Sequence, residues 1–221
     1  MGIGTVGGTR DAAARHVTAG AGQPSRAALA RKHAEAPWPS QASRIARAAV
    51  ITLTGGLAGM AACSLAPVLA EVALSAVAAP PWNETPAHAR QLVSRMLADA
   101  QQPGFTLALA FTSGGARLAG FGYGLPRCPA TGSAADSLLF ADTEPFELCQ
   151  LAVRPAARGI GAGRALHDAV LATSGPQPRW LVTHPAARPA VRLYQTSGWR
   201  ISRTFPSATN GSGRLLMTRR R

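Results

Sequence analysis

Residues 148–167 of the chain read LCQLAVRPAARGIGAGRALH. An apolar, strand-like run ends at Val153, and a glycine-rich turn then leads into an amphipathic, helix-like run. The turn holds three glycines at alternate positions, Gly159, Gly161 and Gly163. Such a turn presents backbone N–H groups at the start of a helix, and glycine keeps side chains away from an approaching phosphate. With Arg158 and Arg164 beside it, the stretch predicts an anion-binding site.

Two familiar phosphate-binding loops do not fit this stretch. A P-loop NTPase requires Gly-Lys followed by Ser or Thr, and the chain contains no such triplet. The dinucleotide fingerprint GxGxxG also fails, because Arg164 takes the place of its last glycine when the pattern is counted from Gly159. No acidic residue follows at the distance needed to bind a ribose. The turn is therefore predicted to bind another kind of anion.

The charge distribution also directs attention to the last third of the chain. The 221 residues carry 23 Lys+Arg against 10 Asp+Glu, a formal net charge of +13. Residues 148–221 hold twelve basic residues and one acidic residue, net +11, whereas residues 48–147 have a net charge of −3. This balance suggests nucleic acid, a membrane surface or a polyanionic small molecule as ligand. The 47% hydrophobic content excludes a wholly disordered chain.

The N-terminal fifth of the chain is predicted to lack a stable fold. Residues 1–45 are rich in Gly, Ala, Arg and Ser without a sustained hydrophobic period, and we expect a disordered basic tail. Residues 46–221 are expected to form a single domain. The three cysteines show no CxxC spacing, so neither a zinc site nor a disulfide framework is indicated. Free thiols favour a reducing cytoplasm.

Residues 48–70 are uncharged and allow two interpretations. Their length fits a membrane span, and Met60-Ala61-Ala62-Cys63 resembles a lipoprotein cleavage site, so an exported protein is an alternative. Their glycines and Pro67 favour instead a strand over residues 48–53, a glycine-rich turn, and a helix over residues 65–79 with Ser64 as N-cap.

Hydrophobic periods and turn residues predict the remaining elements. A helix is expected to begin at Thr85-Pro86 and to end before Pro103-Gly104. The other expected elements are a hairpin of strands 105–111 and 118–123, a loop over 124–144, strand 146–153, helix 161–173, strand 180–183, helix 188–196, and a hairpin of strands 199–205 and 214–218 around Asn210-Gly211. Together they indicate a mixed sheet with helices on its faces.

The turn and its context resemble the GCN5-related N-acetyltransferase (GNAT) superfamily. Arg158-x-x-Gly161-x-Gly163 is similar to the family's acetyl-CoA signature, Gln/Arg-x-x-Gly-x-Gly/Ala. Downstream, Ala190, Leu193-Tyr194 and Gly198-Trp199 resemble its A…LY…GF segment, while PPWNETP (residues 80–86) and GFGYG (residues 120–124) resemble a bacterial branch. The resemblance covers residues 48–220. It implies an α+β fold with a mixed, mostly antiparallel central sheet, helices on both faces, and a split at the central strands that holds acetyl-CoA.

The resemblance also implies roles for particular residues. Backbone groups of Leu151, Ala152 and Val153 would pair with the pantetheine arm of acetyl-CoA like an added strand. The pyrophosphate would be held by the turn and the first residues of the next helix: Arg158, Gly159, Ile160, Gly161, Ala162, Gly163 and Arg164. Tyr194 would be the general acid that protonates the departing thiolate. Glu147 is the candidate general base.

The implied activity is a direct acetyl transfer to an amine in a ternary complex, by a cytoplasmic enzyme that needs no metal, membrane or specific nucleic acid. The family usually carries Asn seven residues before the tyrosine, and Ala187 here weakens one cofactor contact. This departure leaves a non-catalytic CoA-binding domain as one alternative, and the net charge of +13 leaves a basic nucleic-acid-binding protein as another. A homodimer is left open. A covalent route through Cys149 is a further alternative.

Several residues are candidates for the acceptor side of the site. His184 follows a predicted strand end and is a candidate to line the site, and Trp82 and Asn83 precede a predicted helix and are candidates to shape the acceptor pocket. The loop over 124–144 contains three carboxylates that would attract a cationic amine, Asp136, Asp142 and Glu144. The acceptor itself is not identified by the sequence.

Overall fold

A computed structural model describes residues 49–112, 117–129, 144–206 and 213–220. Seven strands and four α-helices follow one another in these ranges: β1 (Ala49–Thr54), α1 (Gly55–Val77), α2 (Pro86–Asp99), β2 (Thr106–Phe111), β3 (Leu118–Pro126), β4 (Phe146–Val153), α3 (Ala162–Ala172), β5 (Arg179–Thr183), α4 (Arg188–Thr196), β6 (Arg200–Pro206) and β7 (Gly213–Arg219). A single 3₁₀ turn, Pro155–Ala157, lies between β4 and α3. The predicted tail, residues 130–143 of the predicted loop, and the Asn210-Gly211 turn lie outside the described residues.

The strands form one sheet in the order β1-β2-β3-β4-β5-β7-β6. Neighbouring strands are antiparallel except for β4 and β5, which are parallel. Residues of α1 and α2 form a core against one face of the sheet, and residues of α3 and α4 form a second core against the other. The predicted mixed, mostly antiparallel sheet with helices on both faces is confirmed.

The sheet splits at its centre, as predicted. The parallel pairing of β4 with β5 extends over two residue pairs, Phe146 with Arg179 and Glu147 with Trp180. Among the described strands, β4 beyond Glu147 is paired on its β3 side alone. The gap therefore opens toward the C-terminal ends of both strands, where α3 and α4 begin.

A β-bulge lies in β4 at the point where the gap opens. Tyr123 is opposite Gln150, whereas the next residue of β3, Gly124, is opposite Leu148, so Cys149 is the extra residue. The bulge interrupts the usual alternation of side chains along the strand. As a result, four residues from both sides of it contact the same core, under α3 and α4: Phe146, Leu148, Leu151 and Val153.

Helix α3 lies on a floor of small residues. The floor consists of Ala108 and Ala110 from β2 and Gly120 and Gly122 from β3. A Cβ atom at Gly120 would lie 2.5 Å from the carbonyl oxygen of Ala152 and 3.1 Å from the side chain of Leu166 on α3. At Gly122 it would lie 3.5 Å from Val170. Glycine therefore allows both β4 and α3 to approach β3 closely.

The prediction for α1 was wrong at its start. The helix begins at Gly55, ten residues before the predicted start, and Ser64 lies inside it. The glycines of this segment are part of a packed helix: a Cβ at Gly59 would lie 3.3 Å from the carbonyl oxygen of Ala100, at the end of α2. By length and composition alone α1 could cross a membrane. Eight of its 23 residues are buried, most of them in the core that α1 forms with α2 and the sheet: Ala58, Gly59, Ala62, Val68, Leu69, Val72, Ala73 and Val77.

The start of α2 follows the predicted rule. Thr85 is the N-cap, and its hydroxyl oxygen accepts a hydrogen bond from the His88 N–H at 3.3 Å, with Pro86 in the first helical position. Helix α4 has the predicted bounds, and α3 and β5 agree with prediction to one residue. Strand β3 continues to Pro126, so the first residues of the predicted loop belong to the sheet.

Candidate functional site

The glycine turn between β4 and α3 has the geometry of an anion site. Gly159 and Gly161 have positive φ angles of 80° and 85°, and Gly161 is the N-cap of α3. A Cβ at either position would meet no atom within 4 Å, so the backbone angle, rather than space, requires glycine. The first backbone N–H of α3 that donates to a carbonyl oxygen of the turn belongs to Ala165, and it donates to Gly161 at 3.0 Å. The amides before it have no acceptor within the helix and are available to an anion.

Two arginines connect this turn to other helices. An Nη2–H of Arg158 donates to the Ala76 carbonyl oxygen, near the end of α1, at 3.0 Å. An Nη2–H of Arg164 donates to the hydroxyl of Thr196, at the end of α4, at 2.8 Å. Both side chains are exposed, and a guanidinium has five N–H donors, so each has further donors for a phosphate.

The exposed edge of β4 adjoins the turn. Leu151, Ala152 and Val153 are opposite Gly122, Phe121 and Gly120 of β3, and toward β5 the sheet is open. An extended ligand with amide groups could hydrogen-bond to this edge like a strand. The edge and the turn together fit a molecule with an amide-bearing arm and a pyrophosphate, which acetyl-CoA has. The described residues predicted to hold acetyl-CoA thus lie along one continuous path.

Tyr194 lies on α4, in the core beneath α3. Its ring centroid is 6.2 Å from that of His167 and 6.1 Å from that of Trp199. Burial raises the pKa of Tyr194 above its usual value. The phenol therefore keeps its proton at neutral pH, as a general acid requires.

His167 is a buried residue of α3 whose contacts with Trp199, Asp168 and Tyr194 were not predicted from the sequence. Its Nε2 accepts a hydrogen bond from the Trp199 indole N–H at 2.8 Å, and its Nδ1 lies 2.7 Å from an Asp168 carboxylate oxygen. The imidazole therefore carries its proton on Nδ1 in the neutral form. Burial lowers the pKa of His167 despite Asp168, so the ring stays neutral. Because His167 and Trp199 both contact Tyr194, they fix its ring.

Glu147 lies in a buried network on the opposite face of the sheet. One oxygen of its carboxylate is 3.2 Å from Arg127 Nη1, and Arg127 also binds Asp99 through Nη2. The Tyr123 hydroxyl donates to Asp99 at 3.2 Å. Burial raises the pKa of Glu147, although the Arg127 guanidinium opposes this shift. A carboxylate with a raised pKa suits a general base.

The network was not predicted, because its members are distant in the sequence. Arg127 falls in the predicted loop, and it is 20 residues from Glu147 and 28 from Asp99. Its backbone carbonyl accepts a hydrogen bond from the indole N–H of Trp180 at 2.6 Å. Arg127 therefore holds together the end of β3, the start of β4 and β5.

Cys149, in the bulge, has the properties of a buried thiol. Burial raises its pKa well above the usual value, and the Glu147 carboxylate raises it further. Its Sγ lies 3.8 Å from the Glu147 carbonyl oxygen. A thiol that keeps its proton is a poor nucleophile, which argues against the covalent alternative.

Residues predicted for the acceptor side meet at the end of β5. The ring of Trp82 contacts that of His184 edge-on, with 5.5 Å between centroids. Ala187 is buried and is the N-cap of α4, where its side chain provides no hydrogen bond. Asp136 and Asp142 lie outside the described residues, and Glu144 is exposed.

The two candidate proton-transfer residues are on different faces of the sheet. Glu147 belongs to the network beside α2, whereas Tyr194 belongs to the core beneath α3. The gap between β4 and β5 joins the two faces. A reaction in this gap could lose a proton to one side and gain one from the other. Within the described ranges, no group of three or more His, Cys, Asp or Glu side chains is arranged to hold a metal ion.

Tyr194→Phe is expected to lower kcat at least about tenfold while leaving the affinity for acetyl-CoA within twofold, because the change removes one proton donor and no volume. Initial rates of CoA release and a binding titration measure the two effects. Tyr123→Phe is the matched control, since these are the two tyrosines of the chain. It should lower the melting temperature through its lost bond to Asp99 but keep most of the turnover. Equal kcat in Tyr194→Phe and the wild type would remove Tyr194 from the acid role.

Comparison with known proteins gives an independent view of the fold and family. The model of the acetyltransferase (GNAT) family matches residues 75–199, which is more than half of the chain. No curated protein matches the sequence.

Solved structures with the same fold come from several kinds of organism. A structure described as histone acetyltransferase HPA2 and related acetyltransferase from Corynebacterium glutamicum aligns with a TM-score of 0.58 at 20% identity, covering 79% of this chain and 97% of that one. A GCN5-related N-acetyltransferase from Rhodopseudomonas palustris gives 0.53 at 14% identity, over 80% and 97%. NAA60 from Arabidopsis thaliana, in complex with a bisubstrate analogue, gives 0.51 at 16% identity, over 77% and 98%. At these identities the likeness concerns the fold.

Proposed function

Since the chain belongs to the GNAT acetyltransferase family, we propose that it is an N-acetyltransferase that transfers the acetyl group of acetyl-CoA directly to an amine. The observation that carries the proposal is the gap between β4 and β5, which leads to the glycine turn at the start of α3. The acceptor is a small molecule or a peptide with an amino group. The three cysteines are unpaired, which supports action in a reducing compartment such as the cytoplasm.

The proposed mechanism assigns one task to each residue around the gap. Acetyl-CoA supplies an activated thioester, so the protein has to position the amine, take two protons from its nitrogen, give one to the sulfur and stabilise charge on the carbonyl oxygen. Glu147 takes a proton from the ammonium form of the acceptor, directly or through a water. A backbone N–H of β4 near Leu151 donates to the carbonyl oxygen as charge develops there. Tyr194 gives its proton to the sulfur as the C–N bond forms and the C–S bond breaks, and the second proton that the nitrogen loses restores the phenol.

Direct transfer requires both substrates to be held together. The turn and the edge of β4 fix one substrate, and the other must approach the thioester from the side of Glu147. Positioning of this kind accounts for much of the rate enhancement when two molecules react. Cys149, with its raised pKa, takes no covalent part in this scheme.

The first test is whether acetyl-CoA and CoA bind. Each should raise the melting temperature, because a ligand that binds only the native state stabilises it by about 2.7 kcal/mol at a concentration 100 times its Kd. Adenosine, which lacks the pyrophosphate and the pantetheine arm, is the control and should give a smaller shift. Acetylation is then followed as thiol release with a panel of polyamines, aminoglycosides, amino acids and peptides.

The outcomes separate the alternative functions. A shift with acetyl-CoA and no turnover over the panel would indicate a non-catalytic CoA-binding domain, which the alanine at 187 keeps open. No shift at millimolar ligand with folded protein would contradict the proposal. DNA binding that falls steeply with salt would then support the nucleic-acid interpretation.

A further inference from the structure

The sheet has two outer strands, and their free edges differ. Strands β1 and β6 lie at opposite ends of the strand order, and among the described strands each is paired on one side only. The other side of an outer strand presents backbone N–H and C=O groups to which a further strand can bind. Natural proteins usually prevent such binding with charged side chains, a proline or a β-bulge on the outer strand.

Strand β6 has all three of these features. Arg200 and Arg203 lie on it, Pro206 is its last residue, and its pairing with β7 shifts in register between Ile201 and Arg203. A strand from another molecule would therefore meet positive charge, a missing N–H group and an irregular backbone. The edge of β6 is poorly suited to further pairing.

Strand β1 has none of them. Its six residues, AVITLT, include no charge and no proline, and all six pair with β2 in unbroken register. Ile51, an aliphatic and β-branched residue, is 50% exposed. The first turns of α1, which follow β1 directly, leave Leu57 and Met60 63% exposed. The edge of β1 is thus regular, uncharged and accompanied by exposed apolar side chains.

The backbone of β1 limits what can cover this edge. The hydrocarbon of a membrane offers no hydrogen bonds to an open sheet edge, and such edges are not found in it. The sequence directly before β1, residues 40–48, contains no Gly, Asn, Asp or Pro. It therefore gives no signal for a tight turn that would fold a preceding strand onto β1. The occupant that fits this edge is a strand from another molecule.

Charge favours a second copy of this chain as that molecule. Each copy has a formal net charge of +13, so two copies repel each other unless they meet where the surface is uncharged. Residues 48–70, which include β1 and most of α1, carry no charge. A strand can pair antiparallel with its own copy about a twofold axis, and this covers both β1 edges at once.

We propose that two copies of the chain associate through β1, whose antiparallel pairing joins the two sheets into one. Ile51 of each copy contacts the other strand, and Leu57 and Met60 add apolar surface at the adjoining start of α1. Strand β1 is three strands away from β4, about 14 Å at roughly 4.8 Å per strand. The gap between β4 and β5 therefore stays accessible in the dimer, and the association is independent of the proposed acetyl transfer.

Sedimentation equilibrium of the full chain at roughly 1 to 100 µM tests the association. We expect the mass to rise from 22.7 kDa toward twice that value as the concentration increases. Ile51→Arg introduces like charges into the paired strands and should raise the Kd of the dimer on the order of 100-fold. Ile201→Arg is the matched control, because Ile201 is 47% exposed on the other outer strand, and it should leave the Kd within twofold.

Two results of this experiment overturn the proposal. One is a mass of 22.7 kDa at every concentration. The other is a dimer whose Kd is the same in Ile51→Arg as in the wild type. The melting-temperature shift with acetyl-CoA should be the same in both proteins, which verifies that the variant is folded.

Backbone hydrogen exchange of the wild type locates the interface without a substitution. In the monomer about half of the N–H groups of β1 point away from β2 and should exchange fast. Their exchange should slow as the dimer forms, while that of β6 stays unchanged. Slow exchange of these groups already in the monomer would show that the chain itself covers the edge. Slowing in β6 instead, or in β1 only after phosphatidylglycerol vesicles are added, would likewise overturn the proposal.

Discussion

Gly161→Glu abolishes the rise in melting temperature that acetyl-CoA gives the wild-type protein. The residue is the N-cap of α3, and the space around its missing Cβ is open, so a longer side chain can be accommodated. The new carboxylate would lie among the amides proposed to hold the pyrophosphate, where it repels the phosphates and competes for the same donors. We expect the affinity for acetyl-CoA to fall more than 100-fold. Thermal unfolding with and without 1 mM acetyl-CoA measures this.

The matched control for this variant is Gly55→Glu. Gly55 also has a positive φ, 57°, also begins a helix, and is also in open space. Both changes force a side chain into the left-handed region, at a cost of about 1–3 kcal/mol. Gly55→Glu should therefore lower the melting temperature but keep the full acetyl-CoA shift. A full shift in Gly161→Glu as well would show that the turn does not hold the phosphates.

Glu147→Gln lowers kcat about 100- to 10,000-fold, the usual contribution of a positioned general base. The amide keeps the shape of the side chain and a contact to Arg127, so the KM for acetyl-CoA should stay within twofold. The wild-type pH profile provides a second readout. Burial raises the pKa of Glu147 above its usual value, and the base works only when ionised, so activity is lost as the pH falls through that raised pKa. In Glu147→Gln this acidic limb should disappear.

Asp99→Asn separates the chemistry of Glu147 from the network that holds it. Asp99 shares Arg127 with Glu147, and its negative charge helps to raise the pKa of Glu147. The variant should be less stable, and its acidic limb should remain but move to lower pH. Unchanged kcat and an unchanged limb in Glu147→Gln would exclude Glu147 as the base.

Most of the fold could be predicted from local patterns. The Thr85 cap, the helical period of α4 and the glycines before α3 each act over a few residues, and each element formed where expected. The start of α1 could not be predicted, because its glycines suit two structures. A run with Gly55 and Gly59 is typical of a turn, but here Gly59 permits a close crossing of α1 and α2 that only the tertiary structure reveals.

The candidate site, too, could be predicted from the sequence only in part. The turn and the edge of β4 are contiguous in sequence, so their relation to a phosphate-bearing ligand was visible in residues 148–167. The surroundings of Glu147 were not visible in the sequence, because Arg127 and Asp99 belong to other parts of the fold. The contact of Arg214 with Trp82 joins two residues that are close in space but lie near opposite ends of the domain's sequence. Neither set of contacts follows a fixed spacing in the sequence, so no sequence pattern can reveal it.

The small-residue floor beneath α3 has a consequence for how natural variants and random mutants should be interpreted. The depth at which α3 rests on the sheet determines where its N-terminal amides stand relative to β4. Adding one methyl group at Gly120 would press on the Ala152 carbonyl oxygen of β4 and on Leu166 of α3, and so displace the helix. A genetic screen for weakened cofactor affinity would therefore recover substitutions at alternate positions of β3 as well as in the turn itself. A method that ranks substitutions only by their distance from the cofactor would wrongly class these β3 substitutions as neutral.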